Sequence, residues 1–307
     1  MRLGRTAALG GLLAAPLLLA ACASDPVSDP YADQRPISWR NLLEREREAA
    51  DHRIAYGAGE ERYGELWLPA GHGPHPLVIM IHGGCWRAEI PGTILQDQLN
   101  ADLRRRGFAV WNLTYPRVGH GTGGYPGTFA AVAGAVDHAR TLAGTYPLDL
   151  SRTVIVGHSA GGHLALWSAA RRRLPADAPG AGLDPVKPRA VISLAGLNDL
   201  EDYAANGPGR CGEPEIVAAL VGEGRADPYA DTSPARLLPL GVPQVIVSGA
   251  LDPIVPPALG AAYAARAEAA GDAVTLIEIE DAGHFELIDP TAPAWRVVLA
   301  EIERATR

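Results

Sequence analysis

The chain has 307 residues, 47% of them hydrophobic and 20% charged, with a formal net charge of −8. This profile excludes a disordered or fibrous protein and provides for a large core, and the excess of acid excludes nucleic acid as a partner, since phosphate binding needs a basic stripe. The one basic cluster, Arg171 to Arg173, follows an expected helix, where cations suit the negative helix end.

At the N-terminus, Arg2 and Arg5 precede an apolar run, 7–21, too short and too rich in Gly and Ala for a comfortable membrane span. It reads as a secretory signal peptide over 1–21. The run closes on Leu19-Ala20-Ala21-Cys22, which resembles the lipobox of bacterial lipoproteins. That resemblance implies lipidation of Cys22 and attachment to the membrane through a lipid anchor only; ordinary cleavage after Ala21-Cys22-Ala23 is the alternative. Either way the protein is exported, to the cell envelope or beyond. The Pro-, Asp- and Ser-rich stretch 22–37 reads as a flexible tether, and 38–307 as one folded domain. Export leaves Cys85 and Cys211 in a compartment where disulfides persist, so a bridge between them is open, although spacing alone does not decide it.

Beyond the tether, β-favouring runs alternate with helical patterns. Strands are expected at 52–56, 62–68, 77–82, 109–114, 153–156, 190–194, 244–248 and 274–279, and helices at 93–106, 129–145, 160–173, 216–221, 258–270 and 294–306. Near-continuous apolar strands separated by helices predict an α/β fold, with a mainly parallel eight-stranded sheet covered on both faces. The first two strands, with no helix between them, predict a hairpin at one edge. No repeat of fixed period occurs.

In such sheets ligands lie at the carboxyl ends of the strands. The residues there include 82-HGGCW-86, Ser159 within 154-VIVGHSAGGHLALW-167, Asp199, Asp252 and His284. A strand turning into a helix across Gly-x-Ser-x-Gly, followed by an acid and then a histidine after later strands, is the order of a nucleophile elbow and its partners. A serine hydroxyl needs a base matched to neutral pH, here His284, and the imidazole needs a carboxylate to orient it. Asp252 is the better-placed acid and Asp199 the runner-up, otherwise on the substrate side. The charge that develops on a carbonyl oxygen needs N–H donors, from Ala160 after the serine and from Gly83 or Gly84. His158 and His163 read as packing or site-wall residues, and Trp86 as either a wall of the substrate pocket or packing beneath the loop. No His, Cys, Asp or Glu grouping has metal-ligand spacing.

Together these residues resemble the α/β-hydrolase family, from about Ile54 to the C-terminus. His-Gly-Gly-x-Trp with Gly-His-Ser-Ala-Gly-Gly-His is similar to the esterase and kynurenine-formamidase-like branch, near feruloyl-esterase-like secreted carboxylesterases, and shares features with prolyl-oligopeptidase-type peptidases. The resemblance implies Ser159 as nucleophile, His284 as base, Asp252 as orienting acid and an oxyanion hole from Ala160 with Gly83 or Gly84. It also implies a small-molecule ester as substrate, with no metal or organic cofactor. The hormone-sensitive-lipase-like pattern has three glycines after the histidine, whereas here Cys85-Trp86 follow Gly83-Gly84. The Gly-, Pro- and Asp-rich stretch 196–238 stands where such proteins carry a cap, and its shortness suits small to medium substrates. Rival readings are an arylformamidase, a peptidase and a non-catalytic envelope binding protein on the same fold.

Overall fold

The computed structural model describes Asp33 and residues 35–182 and 184–307. The expected signal peptide and Cys22 lie outside the described residues. The elements run in chain order α1 (Trp39–Leu43), β1 (His52–Ala55), β2 (Tyr63–Trp67), β3 (His75–Ile81), α2 (Asp97–Arg105), β4 (Ala109–Leu113), α3 (Gly127–Asp137), α4 (Ala139–Ala143), β5 (Leu148–His158), α5 (Ala160–Ala169) and β6 (Ala190–Leu194). There follow α6 (Leu200–Asn206), α7 (Glu215–Val221), β7 (Gln244–Gly249), α8 (Pro257–Ala269), β8 (Val274–Ile279) and α9 (Pro293–Ala305).

The eight strands form one sheet in the order β1-β2-β4-β3-β5-β6-β7-β8. Every pairing from β4 to β8 is parallel, while β1 and β2 are antiparallel, which realises the expected edge hairpin and makes the sheet mixed. The inner strands β4, β6 and β7 are buried along their whole length because helices cover both faces, whereas edge strand β8 alternates between half-buried and exposed residues. Sequence and packing meet clearly at Gly64: a Cβ there would lie 2.7 Å or less from three ring atoms of Trp111, so the missing side chain makes room for the indole. That ring is fully buried and donates from Nε1 to the Ala135 carbonyl at 2.9 Å. Burying such a side chain contributes about 2–3 kcal/mol. Among the described residues no helix is long and apolar enough to cross a membrane.

Several elements differ in extent from the sequence expectation. The helix expected over 93–106 begins as a 3₁₀ turn, Thr93–Gln96, before α2, and the one expected over 129–145 is two helices meeting at His138. Two short helices, α1 and α6, were not expected. The end of the supposed tether is also docked: Ile37 is buried, its amide donates to Glu286 Oε1 at 2.6 Å, and Arg35 pairs with Asp281. The excursion between β6 and β7 carries α6, α7 and a 3₁₀ turn, Pro234–Arg236, and folds back over α5, where Trp167 Nε1 donates to the Asp231 carbonyl.

Candidate active site

Ser159 is the single residue between the end of β5 and the start of α5, at φ 57° and ψ −123°. A non-glycine residue there is strained by its own Cβ, so the surrounding structure must hold it. Its amide donates to the Leu194 carbonyl at 2.8 Å, and its carbonyl accepts from Gly162 at 2.8 Å. The flanking glycines are required by close approach: a Cβ on Gly157 would overlap the Gly161 carbonyl, and one on Gly161 would overlap the Ile81 carbonyl. The Gly-x-Ser-x-Gly spacing thus lets β5, α5 and β3 meet at the serine. Ala160 opens α5, so its amide has no intrahelical acceptor and adds to the positive end of the helix dipole.

The loop after β3 lies against this turn. A Cβ on Gly83 would stand 2.8 Å from the His158 carbonyl and 3.0 Å from Ser159 Cβ, so glycine brings the backbone up to the serine. Gly84, Cys85 and Trp86 follow with φ of 107°, 50° and 55°. Three consecutive positive values are costly, and the loop is correspondingly well held. The Arg87 amide donates to the Gly84 carbonyl at 2.9 Å, the Val118 amide donates to the Trp86 carbonyl at 2.7 Å, and Cys85 is bridged to Cys211, with Cα atoms 5.4 Å apart. The disulfide that the sequence left open is therefore formed, and it ties this loop to the excursion between β6 and β7. His82, at the start of the loop, stacks on Tyr115 with ring centroids 4.5 Å apart. Burial, aided by the nearby Arg117 guanidinium, pushes its pKa down to about 3.

Asp252 and His284 come from the loops after β7 and β8 and are 5% and 3% exposed. Asp252 Oδ1 accepts the amides of Ile254 and Val255, which fixes the carboxylate, and Oδ2 accepts the His284 Nδ1 proton at 2.6 Å. With Nδ1 carrying that proton, Nε2 is the basic nitrogen of the ring. His158 Nε2 donates to the His284 carbonyl at 2.9 Å, and the two rings lie 4.5 Å apart. Burial and the neighbouring His284 hold the His158 pKa well below the usual imidazole range. Glu286, for which the sequence offered no role, is buried and accepts the Gly283 amide at 3.0 Å through Oε2, so one carboxylate clamps both the His284 loop and the docked segment at Ile37.

Ser159, His158 and His284 line one cavity of about 130 Å³, together with Gly84 and Cys85. Trp39, Ile90, Leu95, Arg210, Ile254 and Phe285, none of them expected from the sequence, complete its wall. Two residues considered for the substrate side of the site fall elsewhere. Trp86 is fully buried and packs beneath the loop, donating from Nε1 to His163 Nδ1 at 3.2 Å. His163 in turn donates from Nε2 to the Thr232 carbonyl at 2.8 Å, and burial lowers its pKa to about 4. Asp199 caps the N-terminus of α6, accepting the amides of Glu201 and Asp202, and pairs with Arg266. It lines a separate surface cleft with Glu201, Asp202 and Arg266, because a strand-end carboxylate that caps the next helix is committed to that helix. Asp252, not Asp199, meets the histidine.

An eight-stranded mixed sheet, with a strained serine between β5 and α5 and an Asp–His pair after β7 and β8, defines an α/β-hydrolase. Residues 65–266 match the model of the BD-FAE family, and the chain belongs to that family. The matched stretch contains Gly83, Ser159 and Asp252 and ends before His284. No curated protein matches the chain by sequence. Among solved structures, the chain is similar to a truncated carbohydrate esterase from gut microbiota, at 20% identity and a TM-score of 0.70, over 86% of this chain and 98% of the other. It is also similar to esterase B from Lactobacillus rhamnosis, at 16% identity and a TM-score of 0.74 (87% and 89% covered), and to a bacterial heroin esterase, at 24% and 0.66 (87% and 88%). These likenesses establish the fold as that of α/β-hydrolase esterases.

Proposed function

We propose that the protein is an exported serine carboxylesterase that cleaves small to medium esters through an acyl-enzyme. The observation that carries this reading is the strained Ser159 lining one cavity with a histidine whose Nδ1 proton is held by a buried carboxylate. Ser159 Oγ attacks the ester carbonyl carbon while His284 Nε2 takes its proton, and Asp252 stabilises the resulting imidazolium. The oxyanion forms beside the amide of Ala160 and the Gly83-Gly84 backbone. Its collapse breaks the bond to the alcohol, which leaves with the proton from His284, and water then attacks the acyl-enzyme by the same steps to release the acid.

The naming of the similar structures as esterases supports this chemistry, and one of them, esterase B, is described as inhibited by a tributyrin phosphonate. The small cavity at Ser159 favours short acyl groups. Arg2, Arg5 and the apolar run to Cys22 support export and a lipid anchor in the cell envelope, and the Cys85–Cys211 bridge is in keeping with an oxidising compartment. The test is steady-state hydrolysis of chromogenic esters of increasing acyl length beside an N-formyl aromatic amide. Short esters are expected to turn over fastest, with a loss of at least about 10⁴-fold in Ser159→Ala. Preference for the formyl amide would replace the esterase reading with a formamidase one, and equal rates in both proteins would sink the role of Ser159.

A further inference from the structure

Among the described residues, Arg210 is the only Arg, Lys, Asp or Glu in the wall of the cavity that holds Ser159 and His284. The adjoining groove, lined by Pro36, Ser38, Trp39, Pro253 and Phe285, again has Arg210 as its only charge among the described residues. In a chain whose net charge is −8, the described residues thus give the mouth of the site a cation and no acid. Resting on the esterase reading above, we propose that Arg210 is a specificity-determining residue that binds a carboxylate on the substrate, so that the preferred esters are anionic.

Three observations carry the assignment. The guanidinium is exposed and makes no hydrogen bond or ion pair among the described residues. The acid nearest in sequence, Glu213, is engaged elsewhere: its Oε1 accepts the Gly209 amide at 2.7 Å and its Oε2 the Cys211 amide at 3.0 Å. The backbone under Arg210 is fixed on its other side as well, by the Cys85–Cys211 bridge and by Arg87 Nε, which donates to the Cys211 carbonyl at 2.9 Å. The turn is thus held firmly against the oxyanion loop while its cation is left unpaired.

A guanidinium presents a planar fork that fits a carboxylate through two parallel N–H···O bonds. The apolar wall formed by Trp39, Ile254 and Phe285 offers no competing acceptor. Because Arg210 lines both the cavity and the groove, the carboxylate can belong to the acyl half of the ester or to its alcohol. At an exposed site the gain is modest and sensitive to salt, about three- to fivefold in kcat/KM.

The experiment compares a neutral and an anionic member in each of two pairs: 4-nitrophenyl butyrate with mono-4-nitrophenyl glutarate, and phenyl acetate with 4-acetoxybenzoate. Each is measured with the wild type, Arg210→Gln and Arg210→Lys, at low salt and in 0.5 M NaCl. In at least one pair the anionic-to-neutral ratio of kcat/KM is expected to fall about three- to fivefold in Arg210→Gln, to fall less in Arg210→Lys, and to shrink with salt in the wild type. The pair that responds assigns the carboxylate to the acyl or the alcohol half. A ratio that moves less than about twofold in both pairs overturns the proposal. Binding of the same anionic esters to Ser159→Ala, with and without Arg210→Gln, reads the contact without turnover. Loss of hydrolysis with an Arg210-dependent Kd would therefore fault the esterase reading alone, and a Kd indifferent to Arg210 would fault this proposal.

Discussion

The floor of the site and its rim are built in different ways. On the floor, Ser159, Asp252 and His284 stand just beyond β5, β7 and β8, and hydrogen bonds to backbone amides hold each of them: the Ser159 amide to Leu194 on the neighbouring strand, the Ile254 and Val255 amides to Asp252, and the Gly283 amide to Glu286 in the His284 loop. On the rim, Trp39 comes from a five-residue helix ahead of the first strand, and Arg210 from a turn between α6 and α7. The floor follows from the order of strands in a parallel sheet, whereas the rim follows from segments distant in sequence being docked onto one another. The proposed catalytic residues are thus placed by strand order, and the rim by tertiary proximity.

The comparison can be sharpened by perturbing each part. The largest effect belongs to the floor: Asp252→Asn keeps the shape of the ring pocket but lets His284 adopt the wrong tautomer, and kcat is expected to fall by about 10³–10⁴-fold with the unfolding midpoint little changed. A fall of less than tenfold, measured by steady-state ester hydrolysis, would mean that another group orients the histidine.

The disulfide joins floor to rim across 126 residues of sequence. Opening it, by reduction or in a Cys85→Ala/Cys211→Ala variant, is expected to cost about 4 kcal/mol and to lower the thermal midpoint by about 10 °C. A midpoint insensitive to reductant would mean that the loop of positive-φ residues is held without the bridge.

The smallest effect concerns the buried histidines at and beneath the loop after β3. His82 and His163 have folded pKa values depressed by burial to about 3 and about 4, so their contribution is complete above the unfolded value near 6.5 and is lost as the pH falls towards 4 and then 3. His163→Gln is expected to flatten the decline of stability between pH 6 and pH 4 by up to about 1.4 kcal/mol per pH unit. Urea denaturation at stepped pH measures this, and an unchanged slope would show that His163 protonates as easily folded as unfolded.

How much of this was legible in the sequence follows from the same contrast. Ser159 stood out because strand, glycines and helix are contiguous, and Asp252 and His284 because strand order places them at one edge. The parallel core was legible in its unbroken apolar runs. Asp199 misled because the end of a strand before a helix is equally the place for an N-cap, and residue type does not separate the two. Trp86 was left open because a buried indole and a pocket wall have the same local sequence. Trp39 and Arg210 gave no signal: α1 is too short for helical periodicity, and Arg210 lies in a Gly- and Pro-rich stretch whose path is set by the disulfide. Glu286 was visible beside His284, but its partner Ile37 lies 249 residues away.

The central claim is that Ser159 is the nucleophile, and covalent labelling addresses it most directly. The protein would be treated with a fluorophosphonate, residual ester hydrolysis followed in parallel, and the modified peptide identified by mass spectrometry. A single adduct is expected on Ser159, formed in step with the loss of activity and absent from Ser159→Ala. An active protein that takes up no label, or takes it up on another residue, would contradict it.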